Sequence, residues 1–223
     1  MYEDLSKSGA REGFRVVLNY AQSQTEAEAL HRELVGRYGA DRVLLRRADV
    51  GNRNEVKAMF DAVADRFGRV DVLVNNAGLN IDGPFLAMTD EQWSRVIATN
   101  LTGTFICAQE FALRFTGETG HIINVSAATG LRGRKNGVNY CSAKAGVITL
   151  TKCLALELAP KIRVNCILPG TLNTEEVMMR YNLYDPGNLE RRLSTIPMGR
   201  LGTTEDIYRA VRFLVKDADY ITG

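Results

Sequence analysis

The stretch Val70-Asp71-Val72-Leu73-Val74-Asn75-Asn76-Ala77-Gly78 passes from an apolar, β-branched run directly into a short polar one. The apolar half predicts a buried strand, and the polar half predicts a turn at its carboxyl end. Four other runs share this strand-like composition, and amphipathic helical stretches separate them along the chain: Phe14–Asn19, Val43–Leu45, His121–Val125 and Ile162–Ile167. This alternation predicts a doubly wound α/β fold of three layers, with helices on both faces of a parallel sheet.

Polar and small residues lie where the predicted strands end. Asp49 follows the second strand, Asn75 to Gly78 follow the third, Ser126 follows the fourth, and Pro169-Gly170 follows the fifth. Ligands of open parallel sheets bind beyond the carboxyl ends of the strands, so we expect these residues to line one crevice. No repeat or low-complexity linker divides the chain, and residues 1–223 are predicted to form one domain.

The overall composition argues against several classes of protein. A net charge of +2 and 45% hydrophobic residues favour a globular chain without nucleic acid or an anionic membrane as partner. No apolar run approaches the roughly 20 residues of a membrane-spanning helix, and the acidic amino terminus does not resemble a signal peptide. Four scattered cysteines and two histidines predict no metal site and a reduced, cytoplasmic protein.

Tyr140 and Lys144 lie four residues apart in a predicted helix that continues to about Leu158. Side chains at this spacing share one helix face. An ammonium near a phenol stabilises the phenolate, which would lower a tyrosine pKa of about 10 and make the hydroxyl a usable proton donor or acceptor. Ser126, at the end of the preceding strand, could hold a carbonyl oxygen beside that phenol.

Taken in order, these residues resemble the short-chain dehydrogenase/reductase family, and within it the 3-oxoacyl-acyl-carrier-protein reductases. The resemblance covers nearly the whole chain and rests on several motifs: Asp49-Val50, Asn75-Asn76-Ala77-Gly78, Asn100, Tyr140 with Lys144, Pro169-Gly170, Thr174, and Ile196-Pro197-Met198-Gly199-Arg200. It implies a Rossmann-like fold and an NADPH-dependent ketoreductase of fatty acid or polyketide biosynthesis. It also implies a homodimer or homotetramer formed through the helices that carry Asn100 and Tyr140.

The resemblance also assigns roles to individual residues. Tyr140 would be the general acid, Lys144 would lower its pKa and bind the nicotinamide ribose, and Asn100 would hold a water that links Lys144 to solvent. Asn100 could instead be an ordinary helix-surface amide. Asp49 would accept a hydrogen bond from the adenine amine, or else cap the following helix. The residues expected to contact the cofactor are Asn19, Tyr20, Asp49, Val50, Asn76, Ala77, Gly78, Tyr140, Lys144, Pro169, Gly170 and Thr174.

The end of the first predicted strand bears on the choice of cofactor. Asn19-Tyr20 occupies the place of the acidic residue that binds an adenine-ribose 2′-hydroxyl and repels a 2′-phosphate. In the family this replacement is the pattern of NADPH-using members.

Two departures from the family pattern stand out. Family members begin with a strand and a glycine-rich turn, Thr-Gly-x-x-x-Gly-x-Gly, which receives the cofactor pyrophosphate at a helix amino terminus. Here residues 1–9 lead almost directly into Ala10-Arg11-Glu12-Gly13, which resembles the last turn of that helix with Gly13 after it. We therefore expect the natural chain to contain a further first strand, and a further strand and tail beyond Gly223.

The second departure concerns the serine. Counting back from Tyr140, the family's catalytic serine falls at Ala127, and Ser126 lies one residue earlier. A shift of one residue along a strand points the side chain to the other face unless a bulge intervenes. Ser126 is the preferred candidate for the carbonyl-holding hydroxyl, and Thr129 is the alternative.

Three functions remain open at this point. The first is reduction of a 3-oxoacyl thioester on an acidic acyl carrier protein, which basic residues near the site would bind: Arg132, Arg134 and Lys135, with Arg114. The second is a dehydrogenase or reductase of a free ketone or secondary alcohol, with Leu172 to Thr195 as an apolar lid. The third is a catalytically impaired subunit that supports an active partner in a hetero-oligomer.

Overall fold

The computed structural model describes residues 2–223, with side chains from residue 3 onward, so Met1 of the predicted domain lies outside the described residues. The strands are β1 (Val16–Tyr20), β2 (Val43–Arg47), β3 (Val72–Asn75), β4 (Gly120–Val125) and β5 (Ile162–Ile167). The α-helices are α1 (Tyr2–Arg11), α2 (Gln24–Tyr38), α3 (Arg53–Phe67), α4 (Asp90–Ile97), α5 (Gly103–Arg114), α6 (Thr129–Arg132), α7 (Val138–Leu158), α8 (Glu175–Arg180), α9 (Pro186–Leu193) and α10 (Thr204–Lys216). A 3₁₀ turn covers Phe85–Ala87, and a π-helical turn, Ala98–Thr102, joins α4 to α5.

All five predicted strands are present, and every pairing between them is parallel, which confirms the α/β fold class. The sheet nevertheless consists of two pieces. β1 pairs with β2, and β4 lies between β3 and β5 in a separate three-stranded sheet. Among the described residues, β1 and β3 therefore do not pair with each other.

Helices cover both faces of the sheet, and β4 shows why. Ile122 lies in an apolar cluster with Phe60 of α3 and Phe111 of α5. The next residue, Ile123, points to the opposite face and lies in a cluster with Ile207 and Val211 of α10. Consecutive strand residues point to opposite faces, so a strand that is apolar at every position requires a helical layer on each side.

A third apolar cluster surrounds the smaller sheet. Leu18 of β1 and Val43 of β2 pack with Ala10 of α1 and with Leu30 and Leu34 of α2. The buried residues of α2, Ala27, Leu30 and Leu34, recur at helical spacing and therefore lie on one face of the helix.

Helix α1 is longer than the sequence interpretation allowed. We expected only a last helical turn before Gly13, and the structure has a ten-residue helix. Its end matches the expectation: Gly13 has φ 98°, Phe14 N–H donates to the carbonyl of Gly9, and Gly13 N–H donates to that of Ala10. These two bonds form a Schellman motif, which requires a residue that tolerates the left-handed conformation.

The segment from Leu172 to Thr195, predicted as an apolar lid, contains the short helices α8 and α9. Thr174 caps α8 by accepting a hydrogen bond from Val177 N–H, and Asp185 caps α9 by accepting one from Asn188 N–H. Asp185 followed by Pro186 is a helix-start signal that identifies α9 in the sequence.

Candidate active site

Helix α7 brings Tyr140 and Lys144 to the carboxyl end of the larger sheet. Lys144 is only 5% exposed, and its Nζ donates a hydrogen bond of 2.8 Å to the carbonyl oxygen of Val125, the last residue of β4. The same Nζ lies 5.6 Å from the centre of the half-buried Tyr140 ring. The structure therefore places the phenol and the ammonium together, as the spacing predicted.

The electrostatics of this pair differ from the expectation. Burial raises the pKa of Tyr140, and the carboxylate of Glu176 raises it further, while Arg180 and Arg134 oppose the shift. Burial also lowers the pKa of Lys144 to about 8. The expected lowering of the tyrosine pKa is thus not seen overall, because desolvation outweighs the attraction of the nearby cations. Tyr140 keeps its proton at neutral pH, which is the state that a proton donor needs.

Ser126 lies in a position that disfavours the role predicted for it. Its side chain is buried, and Oγ donates a hydrogen bond of 2.7 Å to the carbonyl oxygen of Lys144. A hydroxyl has one hydrogen to donate, so in this arrangement Ser126 has none left for a substrate carbonyl. Ser126 holds α7 against β4 instead. Thr129, the alternative, has a buried Oγ1 without a hydrogen-bond partner among the described residues.

Asn100 lies inside the π-helical turn and is completely buried. Its Nδ2 donates to the carbonyl oxygens of Leu79 (2.7 Å) and Val96 (2.9 Å), and its backbone carbonyl accepts from Thr104 Oγ1. Asn100 Oδ1 has no partner in the part of the chain that the structure describes. Asn100 is therefore not a surface amide, and π turns of this kind are frequent at functional sites.

A buried polar network connects the strand ends below the site. Asn75 Nδ2 donates to Asn124 Oδ1, and Asn124 Nδ2 donates to Thr151 Oγ1, each over 2.9 Å. Thr151 Oγ1 in turn donates to the carbonyl of Val147. The network fixes β3, β4 and α7 relative to one another, and the paired asparagines of the sequence motif are thus partly structural.

Two further residues of this region make contacts that sequence reasoning did not predict. Asn139 is fully buried; its Nδ2 donates to the carbonyl of Ile81, and its Oδ1 accepts from Tyr140 N–H. Arg134, which we had assigned to an acidic carrier protein, forms two hydrogen bonds to Asp82 and lies 5.4 Å from the Tyr140 ring centre. Its charge is therefore already paired, which corrects that assignment, whereas Arg132 and Lys135 are exposed.

Helix α8 lies close enough to Tyr140 for Glu176 and Arg180 to affect its pKa. Pro169 and Gly170 follow β5, and Thr174 begins α8, so these three predicted cofactor residues position the segment that borders the phenol. Gly170 has no atom within 4 Å of where a Cβ would lie. The structure leaves open space there, at the carboxyl end of the sheet.

The nicotinamide half of a dinucleotide fits the residues present. Gly78 lies between an acceptor and a cation, because a Cβ added to it would lie 3.0 Å from Asn100 Oδ1 and 3.8 Å from Lys144 Nζ. Asn76 Oδ1 is a second buried acceptor that lacks a partner among residues 2–223. Unpaired buried acceptors beside an ammonium suit a ligand that carries hydroxyl groups, such as a ribose.

The adenosine half fits the end of the smaller sheet. Asp49 is exposed, and its Oδ1 accepts from Gly51 N–H, while Val50 beside it is buried. The following helix is capped by Asn52 and not by Asp49, so the capping alternative for Asp49 is wrong. Asn19 Nδ2 donates to the carbonyl of Ala48 (2.9 Å) and holds the two strand ends together. Between the two halves, no described loop has the glycine-rich sequence that would receive a pyrophosphate.

Close packing also positions α7. A Cβ added to Gly130 would lie 2.9 Å from the Lys144 carbonyl carbon and 3.0 Å from Ala145 N. These atoms are backbone, so Gly130→Ala is expected to move α6 away from α7 and to lower the free energy of unfolding by about 1–3 kcal/mol. Gly36→Ala is the matched control, because Gly36 is in α2 with no atom near its added Cβ. We expect it to stabilise by about 0.5–1 kcal/mol in urea unfolding, and equal effects of the two variants would contradict the packing argument.

Comparison with known proteins agrees with this geometry. Residues 4–223 match a family model described as "Enoyl-(Acyl carrier protein) reductase". The chain belongs to the short-chain dehydrogenase/reductase family. Its relatives include the 3-oxoacyl-[acyl-carrier-protein] reductase of Synechocystis sp., which is 41% identical over 96% of this chain and 85% of the relative. The corresponding enzymes of Staphylococcus aureus and Staphylococcus epidermidis are 42% and 39% identical, each over 96% of this chain and 86% of the relative.

Membership of the short-chain dehydrogenase/reductase family confirms the resemblance on which the sequence interpretation rested and implies a nicotinamide cofactor. Among the described residues, no group of histidine, cysteine, aspartate and glutamate side chains has the arrangement of a metal site. The described helices also include none that combines the length and apolar character needed to cross a membrane.

Proposed function

We propose that this chain is an NADPH-dependent reductase of 3-oxoacyl thioesters carried on acyl carrier protein. The matched relatives from three organisms bear that name. The single observation that carries the proposal is the Tyr140–Lys144 pair at the carboxyl end of the sheet, in which a phenol keeps its proton beside a buried cation.

In the proposed reaction the 3-oxo group gains a hydride at carbon and a proton at oxygen, which gives the 3-hydroxyacyl product. The reduced nicotinamide supplies the hydride when it is bound. Tyr140 donates its phenolic proton to the carbonyl oxygen, and its raised pKa ensures that the proton is present at neutral pH. The ammonium of Lys144 stabilises the phenolate left behind.

Lys144 and the unpaired Oδ1 of Asn100 flank Gly78, so a water between them would satisfy both groups and return a proton towards Tyr140. Asn76, Ala77 and Gly78 would contact the nicotinamide half of the cofactor. Asn19, Tyr20, Asp49 and Val50 would contact the adenosine half.

NADPH is favoured over NADH by the charges at the end of the smaller sheet. Tyr20 lies beside Arg47 in the strand register, and Asn19 lies beside Arg46. Arg47 is exposed, and its Nε donates to the carbonyl of Ala21, which places a guanidinium next to the Asn19-Tyr20 strand end. Guanidinium groups bind phosphate well, and no carboxylate on this strand end opposes it.

Arg47→Ala is expected to raise the KM for NADPH roughly tenfold while leaving that for NADH nearly unchanged, because only NADPH carries the 2′-phosphate. Steady-state kinetics with both cofactors measure this difference. Arg66→Ala is the control: Arg66 is on α3, and its guanidinium donates to the carbonyl of Ala40. A similar rise in KM for both cofactors would show that Arg47 does not select between them.

The substrate is tested by comparing NADPH oxidation with acetoacetyl-acyl carrier protein, acetoacetyl-coenzyme A and a simple methyl ketone. Turnover with both thioesters is expected, with the carrier-protein form preferred, since Arg132 and Lys135 are exposed near the site and suit an acidic partner. Turnover of the methyl ketone alone would support the second candidate, a reductase or dehydrogenase of free ketones and alcohols. The helices α8 and α9, with Met178 and Tyr184, would then form an apolar lid.

A catalytically impaired subunit remains the candidate of a different class. One observation favours it: the hydroxyl of Ser126 already donates its hydrogen to the backbone carbonyl of Lys144. Titration with NADPH, followed by cofactor fluorescence, decides between an active reductase and an impaired subunit. Binding together with turnover supports the reductase, and absence of binding supports the impaired subunit.

Self-association of the single domain, as a dimer or tetramer in the cytoplasm, is part of the proposal. The helices expected at the interface expose large apolar side chains: Trp93 on α4, Phe105 and Leu113 on α5, and Leu156 on α7. Exposed apolar patches of this kind mark contact surfaces. Sedimentation of the purified chain distinguishes a homo-oligomer from a monomer that awaits a different partner.

A further inference from the structure

Arg134 lies between α6 and α7, and the loop that follows β3 holds its guanidinium. Nη2 donates to Asp82 Oδ1 over 2.6 Å and to Asn80 Oδ1 over 2.9 Å, and Nη1 donates to the other carboxylate oxygen of Asp82. A bidentate pair of guanidinium and carboxylate fixes the orientation of the guanidinium as well as its distance. The side chain of Arg134 is only 16% exposed, so solvent screens this pair less than it screens a surface pair.

The backbone around Arg134 turns back so that its side chain reaches the start of α7. Gly133 (φ 70°) and Asn136 (φ 61°) both adopt left-handed conformations, which glycine and asparagine tolerate best. The carbonyl of Asn136 accepts from Gly83 N–H over 2.9 Å, which ties this turn to the same loop after β3. Gly137 leaves room for the guanidinium, because a Cβ added there would lie 2.8 Å from Arg134 Nε and 3.0 Å from its Cζ.

The guanidinium of Arg134 lies against the ring of Tyr140. Its Cζ is 5.4 Å from the ring centre, and Lys144 Nζ is 5.6 Å from the same centre. Both distances fall within the roughly 6 Å over which an aromatic ring attracts a cation. The attraction is stronger when the phenol has lost its proton, since the ring then carries a negative charge. Two cations are therefore placed where they stabilise a phenolate.

The two cations differ in how they respond to pH. Burial lowers the pKa of Lys144 to about 8, so this ammonium loses its charge in the alkaline range, whereas a guanidinium keeps its charge throughout. Burial and Glu176 raise the pKa of Tyr140, and Arg134 opposes them. The other charged or titratable groups that act on the phenol within the described part of the chain are Arg180 on α8 and Cys141 on α7.

We propose that Arg134 is a positioning residue for the proton donor: the Arg134–Asp82 pair holds a guanidinium against the Tyr140 ring, where it stabilises the phenolate that proton donation leaves. This role rests on the proposed function, since it concerns the same proton transfer. Arg134 acts through Tyr140 and not on the substrate itself. A pair that only joined two loops could lie anywhere along them, whereas this one lies against the phenol.

The first test measures the pKa of Tyr140 directly, by NMR of the full chain labelled with carbon-13 at the tyrosine ring carbon that bears the hydroxyl. The Tyr140 signal is the one missing from Tyr140→Phe. Arg134→Met is expected to raise the Tyr140 pKa, because a cation that lowers it is lost. Loosening of the site alone would act in the opposite direction, since water that reaches the ring relieves the desolvation that raises the pKa. An unchanged or lowered pKa would therefore overturn the proposal.

Gly137→Ala tests the same role without removing a charge. The added methyl group would lie too close to the guanidinium of Arg134, so it is expected to displace the guanidinium and to raise the Tyr140 pKa by a smaller amount. Gly137 has a negative φ of −122°, which alanine can adopt, so this variant decides the matter even where Arg134→Met does not fold. No rise in the pKa would count against the proposal. Arg209→Met is the control, because its guanidinium pairs with Glu205 on the exposed side of α10.

Kinetics with acetoacetyl-coenzyme A and NADPH connect the pKa to catalysis. Arg134→Met is expected to lower kcat about tenfold and to change NADPH affinity less than about twofold, because the guanidinium stabilises the phenolate and not the bound cofactor. Asp82→Ala and the double variant are expected to match that loss within about twofold, since the two residues act as one unit.

A raised Tyr140 pKa with an unchanged kcat would overturn the proposal, and so would losses that add in the double variant. Absence of thioester reduction by the wild-type chain would instead refute the proposed function. The NMR titration would still decide, in that case, whether Arg134 stabilises the phenolate.

Discussion

Tyr140→Phe is expected to reduce turnover by about 10²–10⁴-fold, because removing the phenolic hydroxyl removes the proton donor and leaves the ring in place. The raised pKa of Tyr140, caused by burial and by Glu176, means that the lost group is the protonated form at neutral pH. Steady-state kinetics with a 3-oxoacyl thioester measure the loss. NADPH affinity from fluorescence titration is expected to change little.

Tyr184→Phe is the control for this variant, since Tyr184 is 62% exposed and follows α8 in the same segment of the chain. It is expected to retain the wild-type rate. Comparable turnover of Tyr140→Phe and the wild type would contradict both the acid role and the reductase proposal. A loss of NADPH binding in Tyr140→Phe would instead assign the hydroxyl to cofactor binding.

Lys144→Met is expected to lower turnover by about 10²-fold or more, because the buried cation that stabilises the phenolate disappears. The wild-type kcat/KM is expected to fall as the pH rises through about 8, where the ammonium of Lys144 loses its proton because burial has lowered its pKa. This step in the pH profile is expected to be absent in the variant. A variant that keeps the step would show that another group titrates.

Measuring the stability of Lys144→Met distinguishes a loss of catalysis from a loss of folded protein. The folded-state pKa of about 8 lies below the ordinary value of 10.5, so burying the charged lysine opposes folding fully below pH 8. That penalty is lost as the pH rises from 8 to 10.5, and stability increases over this window. Lys144→Met removes the penalty, so its thermal midpoint at pH 7 is expected not to fall. A large decrease would mean that the hydrogen bond to Val125 outweighs the cost of burying the charge.

The sequence correctly predicted the features that depend on residues close together in the chain. The β-branched runs predicted all five strands, and Thr89 and Thr203 begin their helices with the capping boxes that such sequences favour. Tyr140 and Lys144 meet because they share one helix face. The helices within the segment from Leu172 to Thr195 were less predictable, since helices of six and eight residues have little intrinsic stability and depend on their caps.

The sequence did not predict properties that depend on contacts between residues far apart in the chain. The direction of the Tyr140 pKa shift follows from burial and from Glu176 on a different helix. The engagement of Ser126 follows from the approach of the Lys144 carbonyl, 18 residues away in sequence. The sequence suggested that Arg134 could bind a partner protein. In the structure it pairs with Asp82, which is 52 residues away in sequence.

The sequence by itself determined the parallel α/β fold, the family, and the cluster of candidate site residues at the strand ends, because periodicity and motif order are local properties of the chain. Only the tertiary structure decided that β1 and β3 do not pair, that the hydroxyl of Ser126 is engaged by the Lys144 carbonyl, and that Tyr140 keeps its proton. The physical reason is the same in each case. Burial, backbone pairing and desolvation are set by which distant residues meet.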